Sequence, residues 1–320
     1  MLGVFTACGT EETTPNIPES QIPVVQSAAT YDMVITENIV YAEGLSHDAI
    51  NSTDASAIPL FMDAYVPINS SQNRPALLLI HGGGFKGGSK QQDAMVNMAR
   101  YFAERGWVAF SIDYRLQSDL GTIPQAWVDY AGNIEPEDVE QYYAIYPAHR
   151  DAKAALRWII ANANLYDINT DYITVGGGSA GAITAIGISI SEASDYNTEI
   201  DQLQDPTLAT SNPSQSYTVQ TILDFWGSDV SIEALELIYG YERFDANVPA
   251  LFIAHGTEDP TVLFEEALQL QEIYESNQVP YIFYELSGLG HGVWNATVDG
   301  RRLEELAFDF VIEQQGLILE

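Results

Sequence analysis

Four turns in the 320-residue chain, three of them glycine-rich, carry groups suited to nucleophilic chemistry. Gly176-Gly177-Gly178-Ser179-Ala180-Gly181 sets a serine in a Gly-x-Ser-x-Gly spacing, after the predicted strand residues 173–175 and before the small, nearly all-apolar stretch 180–190. A serine there sits on a tight strand-to-helix turn, where flanking glycines avoid clashes and the hydroxyl is held out at the helix start. A glycine-rich turn with an ordinary serine cap has the same local sequence, so the rest of the chain must decide between them. His81-Gly82-Gly83-Gly84-Phe85 ends the apolar run 77–80 and leaves successive backbone N–H groups free to point at one oxygen. Stabilising an oxyanion requires that arrangement. The Gly-Lys-Ser/Thr ending of a phosphate-cradling loop is missing. Downstream, residues 250–254 run into His255-Gly256-Thr257-Glu258-Asp259-Pro260, and residues 281–286 into Ser287-Gly288-Leu289-Gly290-His291-Gly292. Glu258 and Asp259 are both candidate carboxylates. Among His47, His81, His149, His255 and His291, only the last stands in a glycine-rich loop that follows the final predicted sheet strand.

The elements that must position these turns can be read from periodicity. Residues 32–41 and 60–66 read as an antiparallel opening pair around a polar loop, and 76–80 as a fully buried strand. A helix over 92–105 stops at Gly106, and a strand over 107–112 follows. The alternation continues with a helix over 148–163, a strand over 172–175, a helix over 180–190 and strands over 219–225, 250–254 and 281–286. Helices over 263–276 and 303–315 complete it. Repeated strand-helix units predict an α/β fold with a parallel sheet covered on both faces. The expected organisation is one catalytic domain over residues 31–320, with insertions near 117–147 and 191–216.

With the turns placed on those elements, the chain resembles the α/β-hydrolase superfamily from about residue 31 to 315, specifically its carboxylesterase and hormone-sensitive-lipase-like branch. The resemblance implies a mostly parallel sheet of about eight strands. It makes Ser179 the nucleophile, His291 the base and Asp259 the acid, with Glu258 the rival. It assigns the oxyanion to the N–H groups of Gly83, Gly84 and Ala180, gives His81 a bracing role and requires neither metal nor organic cofactor. Gly178 departs from the Asp or Glu that commonly precedes the nucleophile, and 117–147 matches no family pattern. That segment holds Trp127, Tyr130, Tyr142, Tyr143 and Tyr146. Phe85, Tyr143 and Trp294 are the candidate substrate-binding residues of an aromatic-lined pocket, with ordinary packing of an inserted segment as the alternative. The implied activity is serine carboxylic-ester hydrolysis on small to medium acyl or aromatic esters, polysaccharide acetyl and feruloyl groups among them. A peptidase of the same fold and an inactive α/β-hydrolase-like binding protein are the alternatives.

Composition limits the partners. Lys plus Arg number 12 against 45 Asp plus Glu, a formal charge of -33. With lysines only at 86, 90 and 153, nucleic acid is excluded as a partner, and a salt-adapted surface is expected. No metal site is expected: residues 167–171 start like a calcium loop, but Tyr172 replaces the turn glycine and Gly178 the bidentate Glu. The single cysteine, in Phe5-Thr6-Ala7-Cys8-Gly9, resembles a bacterial lipobox, so that residues 1–30 read as a lipoprotein-like signal remnant and flexible tether. On that reading Cys8 is lipidated, provides the sole membrane tether and places the protein outside the cytoplasm, secreted or lipid-anchored. No run of 18 apolar residues occurs, and the sequence leaves the oligomeric state open.

Overall fold

The computed structural model describes residues 22–135 and 139–320, so Cys8 and the lipobox-like segment lie outside the described residues. The chain runs β1 (Val24–Val25), β2 (Met33–His47), β3 (Ala55–Pro67), β4 (Arg74–Ile80), α1 (Asp93–Ala103) and β5 (Val108–Ile112). It continues with α2 (Gln125–Ala131), α3 (Val139–Ala161), α4 (Ala163–Tyr166), β6 (Ile168–Gly178), α5 (Ala180–Ile190), β7 (Thr221–Phe225) and α6 (Val230–Tyr239). It ends with β8 (Ala250–Gly256), α7 (Phe264–Asn277), β9 (Tyr281–Leu286), β10 (Thr297–Val298), β11 (Arg301–Arg302), α8 (Leu303–Gln315) and β12 (Ile318–Leu319).

Eight strands form one sheet in the order β2-β3-β5-β4-β6-β7-β8-β9, antiparallel from β2 to β5 and parallel from there on. This is the α/β-hydrolase fold that the resemblance implies. Strand alternation divides the core between the two faces. Leu78 and Ile80 of β4 join Leu156 of α3, Ile186 of α5, Leu235 of α6 and Leu270 of α7. Leu77 and Leu79 face Met98 and Phe102 of α1 and Phe310 of α8. From β4 the chain passes through α1 to β5 on one side, while β6 lies on the other. The carboxyl ends of β4 and β6 therefore flank a point where strand order reverses, the usual place for a ligand crevice in an open α/β sheet.

Several boundaries differ from the sequence reading. The folded part starts before residue 31, because Val24–Val25 pairs in parallel with Ile318–Leu319 and Val25 is fully buried. The β2–β3 pair runs well past its predicted ends, since backbone ladder bonds extend through residues whose side chains are polar. Pro147 does not end the 117–147 insertion but lies within α3, where the burial of Ala144, Ile145, Tyr146 and Ala148 outweighs the missing N–H. The aromatics of that insertion are largely core. Trp127 packs edge-on against Tyr146 at 5.6 Å and tilted against Tyr196 of the second insertion at 5.5 Å, and all three are buried. No helix among the described residues is long and apolar enough to cross a membrane.

The few cations are mostly internal. Arg74, Lys90, Arg115, Arg150, Lys153, Arg157 and Arg243 are all buried. Arg150 meets Asp205 and Arg243 meets Asp195, each at 3.1 Å, pinning the 191–216 insertion to the sheet framework. Arg115 grips both oxygens of Asp151 at 2.6–3.1 Å and donates to the Leu45 carbonyl, joining β2, the end of β5 and α3. Removing one member of such a pair strands a buried charge. Asp151→Ala is expected to lower unfolding stability by about 3 to 5 kcal/mol in a urea titration, while Arg115→Met combined with Asp151→Leu recovers most of the loss. Equal losses in the single and double variants would contradict this.

Candidate active site

Ser179 lies between β6 and α5 with φ 56° and ψ -125°, a conformation that L residues avoid unless the surroundings impose it. Its N–H donates to the Phe225 carbonyl at 2.9 Å. Gly177 and Gly181 permit the turn, because a methyl group on either would overlap the Ile80 carbonyl oxygen. A side chain on Gly178 would strike the Trp294 ring. The departure from Asp or Glu at that position is therefore matched by a tryptophan filling the space.

Beyond Ile80, the glycine loop folds back on itself. Gly83 and Gly84 have φ 125° and 60°, and the N–H groups of Lys86 and Gly87 both donate to the Gly83 carbonyl. His81 stacks on Tyr114 at 4.3 Å, and the Tyr114 hydroxyl donates to the His81 carbonyl at 2.8 Å. The His81 Nδ1 also lies 2.8 Å from the Gly82 carbonyl. Burial pushes the His81 imidazole below its ordinary range, so it stays neutral and braces the loop. The N–H groups of Gly83, Gly84 and Ala180 find no acceptor among the described residues.

The structure brings Ser179, His291 and Asp259 together. His291 Nδ1–H donates to Asp259 Oδ2 at 2.7 Å, which leaves Nε2 as acceptor for the Ser179 hydroxyl at 3.0 Å. Asp259, 5% exposed, also accepts the N–H groups of Thr261 and Val262 on Oδ1 at 2.8 and 3.1 Å. Glu258 is exposed on the same loop. His255, the neighbouring buried histidine, donates Nε2–H to the Val262 carbonyl at 2.9 Å and lies 3.5 Å from Asp259 Oδ2. Burial holds it neutral, so it supports the acid loop without competing for the proton.

A cavity of about 390 Å³ opens over Ser179 and reaches Gly83, Gly84, Ala180 and His291. Phe85 and Trp294 also line it. Tyr143 does not: it is half-buried and packs against the core. Its place on the wall is taken by Gln141, two residues earlier on α3. Sequence reading also missed Trp226, which packs edge-on to Trp294 at 4.7 Å and faces His291 at 6.2 Å. Its signal was its position just past the carboxyl end of β7. The described residues contain no group of three or more His, Cys, Asp or Glu able to hold a metal ion, residues 167–171 included.

Asp224 sits two residues before Trp226. Its Oδ1 accepts the Gly227 N–H at 2.7 Å, but Oδ2 is buried without a partner, and burial pushes the carboxyl from 3.8 up to about 7. A raised folded-state pKa means the unfolded chain releases this proton first as pH rises. The associated stability is full below about pH 3.8 and is lost as pH rises through about 7. Asp224→Asn is therefore expected to raise Tm relative to the parent at pH 8 by more than at pH 4. A difference that does not change with pH would contradict the assignment.

The family described as BD-FAE matches residues 62–135 and 139–234, more than half of the chain. Esterase LipC of Mycobacterium tuberculosis is 24% identical over 239 residues, 68% of this chain and 53% of the relative. Esterase LipQ of the same organism is 23% identical over 266 residues, 74% of this chain and 55% of the relative. The chain thus spans about half the length of these curated relatives. Among solved structures, Thermogutta terrifontis esterase 2 superposes with a TM-score of 0.59 at 22% identity, covering 88% of this chain and 94% of its own. A truncated carbohydrate esterase from gut microbiota reaches 0.60 at 19% identity, covering 91% and 99%. Together with the sheet order, these likenesses show the α/β-hydrolase fold, and the match over more than half its length shows that the chain belongs to the BD-FAE family.

Proposed function

We propose that the protein is a serine carboxylic-ester hydrolase whose nucleophile is Ser179. The observation that carries this reading is the single imidazole of His291 bonded on one side to the Ser179 hydroxyl and on the other to the buried Asp259. His291 Nε2 takes the proton as Ser179 Oγ attacks the ester carbonyl carbon, and Asp259 holds the ring in the tautomer that can accept it. The carbonyl oxygen becomes an oxyanion and receives the N–H groups of Gly83, Gly84 and Ala180; one such donor is typically worth about two to three orders of magnitude in rate. Collapse of the tetrahedral intermediate breaks the bond to the alcohol oxygen, which leaves with the proton from His291. Water activated by the same ring then releases the acid from Ser179.

The substrates we propose are esters of small or aromatic acids, including acetyl and feruloyl groups on polysaccharides. Trp226 and Trp294 line the cavity beside Gly178, which supports a preference for acyl groups that are not long chains. The likeness to a carbohydrate esterase supports a sugar-borne ester. With p-nitrophenyl acetate, Ser179→Ala is expected to lose about five to six orders of magnitude in kcat, and Asp259→Asn about four. Equal turnover by the parent and Ser179→Ala would overturn the reading. Across p-nitrophenyl esters from acetate to decanoate, methyl ferulate and acetylated xylan, the parent is expected to favour short and aromatic acids. Trp294→Ala should shift its preference toward longer chains, and an unchanged chain-length profile would remove Trp294 from substrate selection.

A further inference from the structure

A second cavity, of about 530 Å³, lies at the amino ends of β7 and β8, the opposite end of the strands from Ser179. It is bordered by the residues leading into β7 and β8 and by the last turn of α5. One wall presents Lys153 and Arg157, one helical turn apart on α3 and only 1% and 3% exposed. Lys153 is satisfied: its ammonium donates to Ser191 Oγ at 3.0 Å and to the Glu192 and Asp195 carbonyls at 2.7 Å each. The buried cations elsewhere all reach carboxylates, Arg74 to Asp167, Lys90 to Asp113, Arg115 to Asp151, Arg150 to Asp205 and Arg243 to Asp195.

Arg157 has neither a carboxylate nor a hydrogen-bond acceptor among the described residues, in a chain with 45 acids. A guanidinium carries five N–H donors and cannot shed its charge, so donors that line a cavity without protein acceptors favour an anionic ligand. The Ser189 hydroxyl, on the same cavity wall, is buried and also lacks a partner. The nearby Tyr217 hydroxyl is committed to the Ile188 carbonyl at 2.9 Å. Arg157 and Ser189 line the same recess. The remaining surfaces include the apolar Val219, Phe244 and Val248, while Glu242 and Asp245 are exposed and disfavour multiply charged ligands.

We propose that this cavity binds a small organic carboxylate, with the carboxylate on Arg157 and Ser189 and an apolar body against Phe244 and Val248. A planar guanidinium pairs with a planar carboxylate through two parallel N–H···O bonds. The site is separate from the esterase reading and does not depend on it. The test is calorimetric titration of the full chain with sodium benzoate at fixed ionic strength, with inorganic phosphate in a parallel arm. The parent and Ser179→Ala are expected to bind one benzoate with equal affinity, and Arg157→Met to bind at least about tenfold more weakly while keeping p-nitrophenyl acetate turnover within about twofold of the parent. Absence of saturable binding, equal binding by Arg157→Met, loss of binding in Ser179→Ala or tighter binding of phosphate than benzoate would each overturn the proposal. If Arg157→Met does not fold, the parent crystallised with 4-bromobenzoate decides. A bromine signal in this cavity with the carboxylate on Arg157 supports the assignment, and a cavity without the ligand refutes it.

Discussion

The Ile80 carbonyl oxygen occupies the space that a side chain on Gly177 or Gly181 would need, and much of the site follows from that contact. It lets the first turn of α5 press against the end of β4, with Ser179 held at a φ of 56° between them. The loop that begins at His81 leaves from the same point, so the free N–H groups of Gly83 and Gly84 border the same cavity as that of Ala180. The close approach links the strained turn and the glycine loop through one backbone atom. Strand order supplies the rest: β8 and β9 end on the same side of the sheet, and their loops bring Asp259 and His291 to the serine.

Charge is partitioned as sharply as hydrophobicity. Seven of the 12 cationic residues are buried, and five of those meet carboxylates at 3.6 Å or less. The scarcity of Lys and Arg thus reflects mainly what the surface lacks, while the interior uses arginines to fasten inserted segments. Asp195 and Asp205, both in the 191–216 insertion, are held this way. A buried pair of this kind gives little net stability over an apolar substitute but penalises any arrangement that separates its partners.

The sheet and its helices were legible because buried parallel strands read as continuous apolar runs and the covering helices carry apolar stripes. Residues 180–190 and 303–315 match α5 and α8 at both ends. Ser179, Asp259 and His291 were legible because each stands in a turn just after such a run. Other features depended on tertiary contacts without a local signature. Pro147 reads as a helix stop, yet the burial around it carries α3 through. The aromatics of 117–147 suggest a pocket, but Trp127 and Tyr146 are committed to Tyr196, some 50 residues or more away in sequence. Trp226 and Gln141 border the cavity because of strand order and helix rotation, which short-range patterns do not encode.

In the proposed function the strained turn and the His291–Asp259 pair make one hydroxyl in this chain strongly nucleophilic. Intact-mass measurement after exposure to an alkyl fluorophosphonate, followed by peptide mapping, reads out that reactivity. A single adduct on Ser179 that forms rapidly in the parent and is nearly abolished in His291→Ala is the expected result. Labelling at another residue, or equal labelling of Ser179 in both proteins, would contradict it.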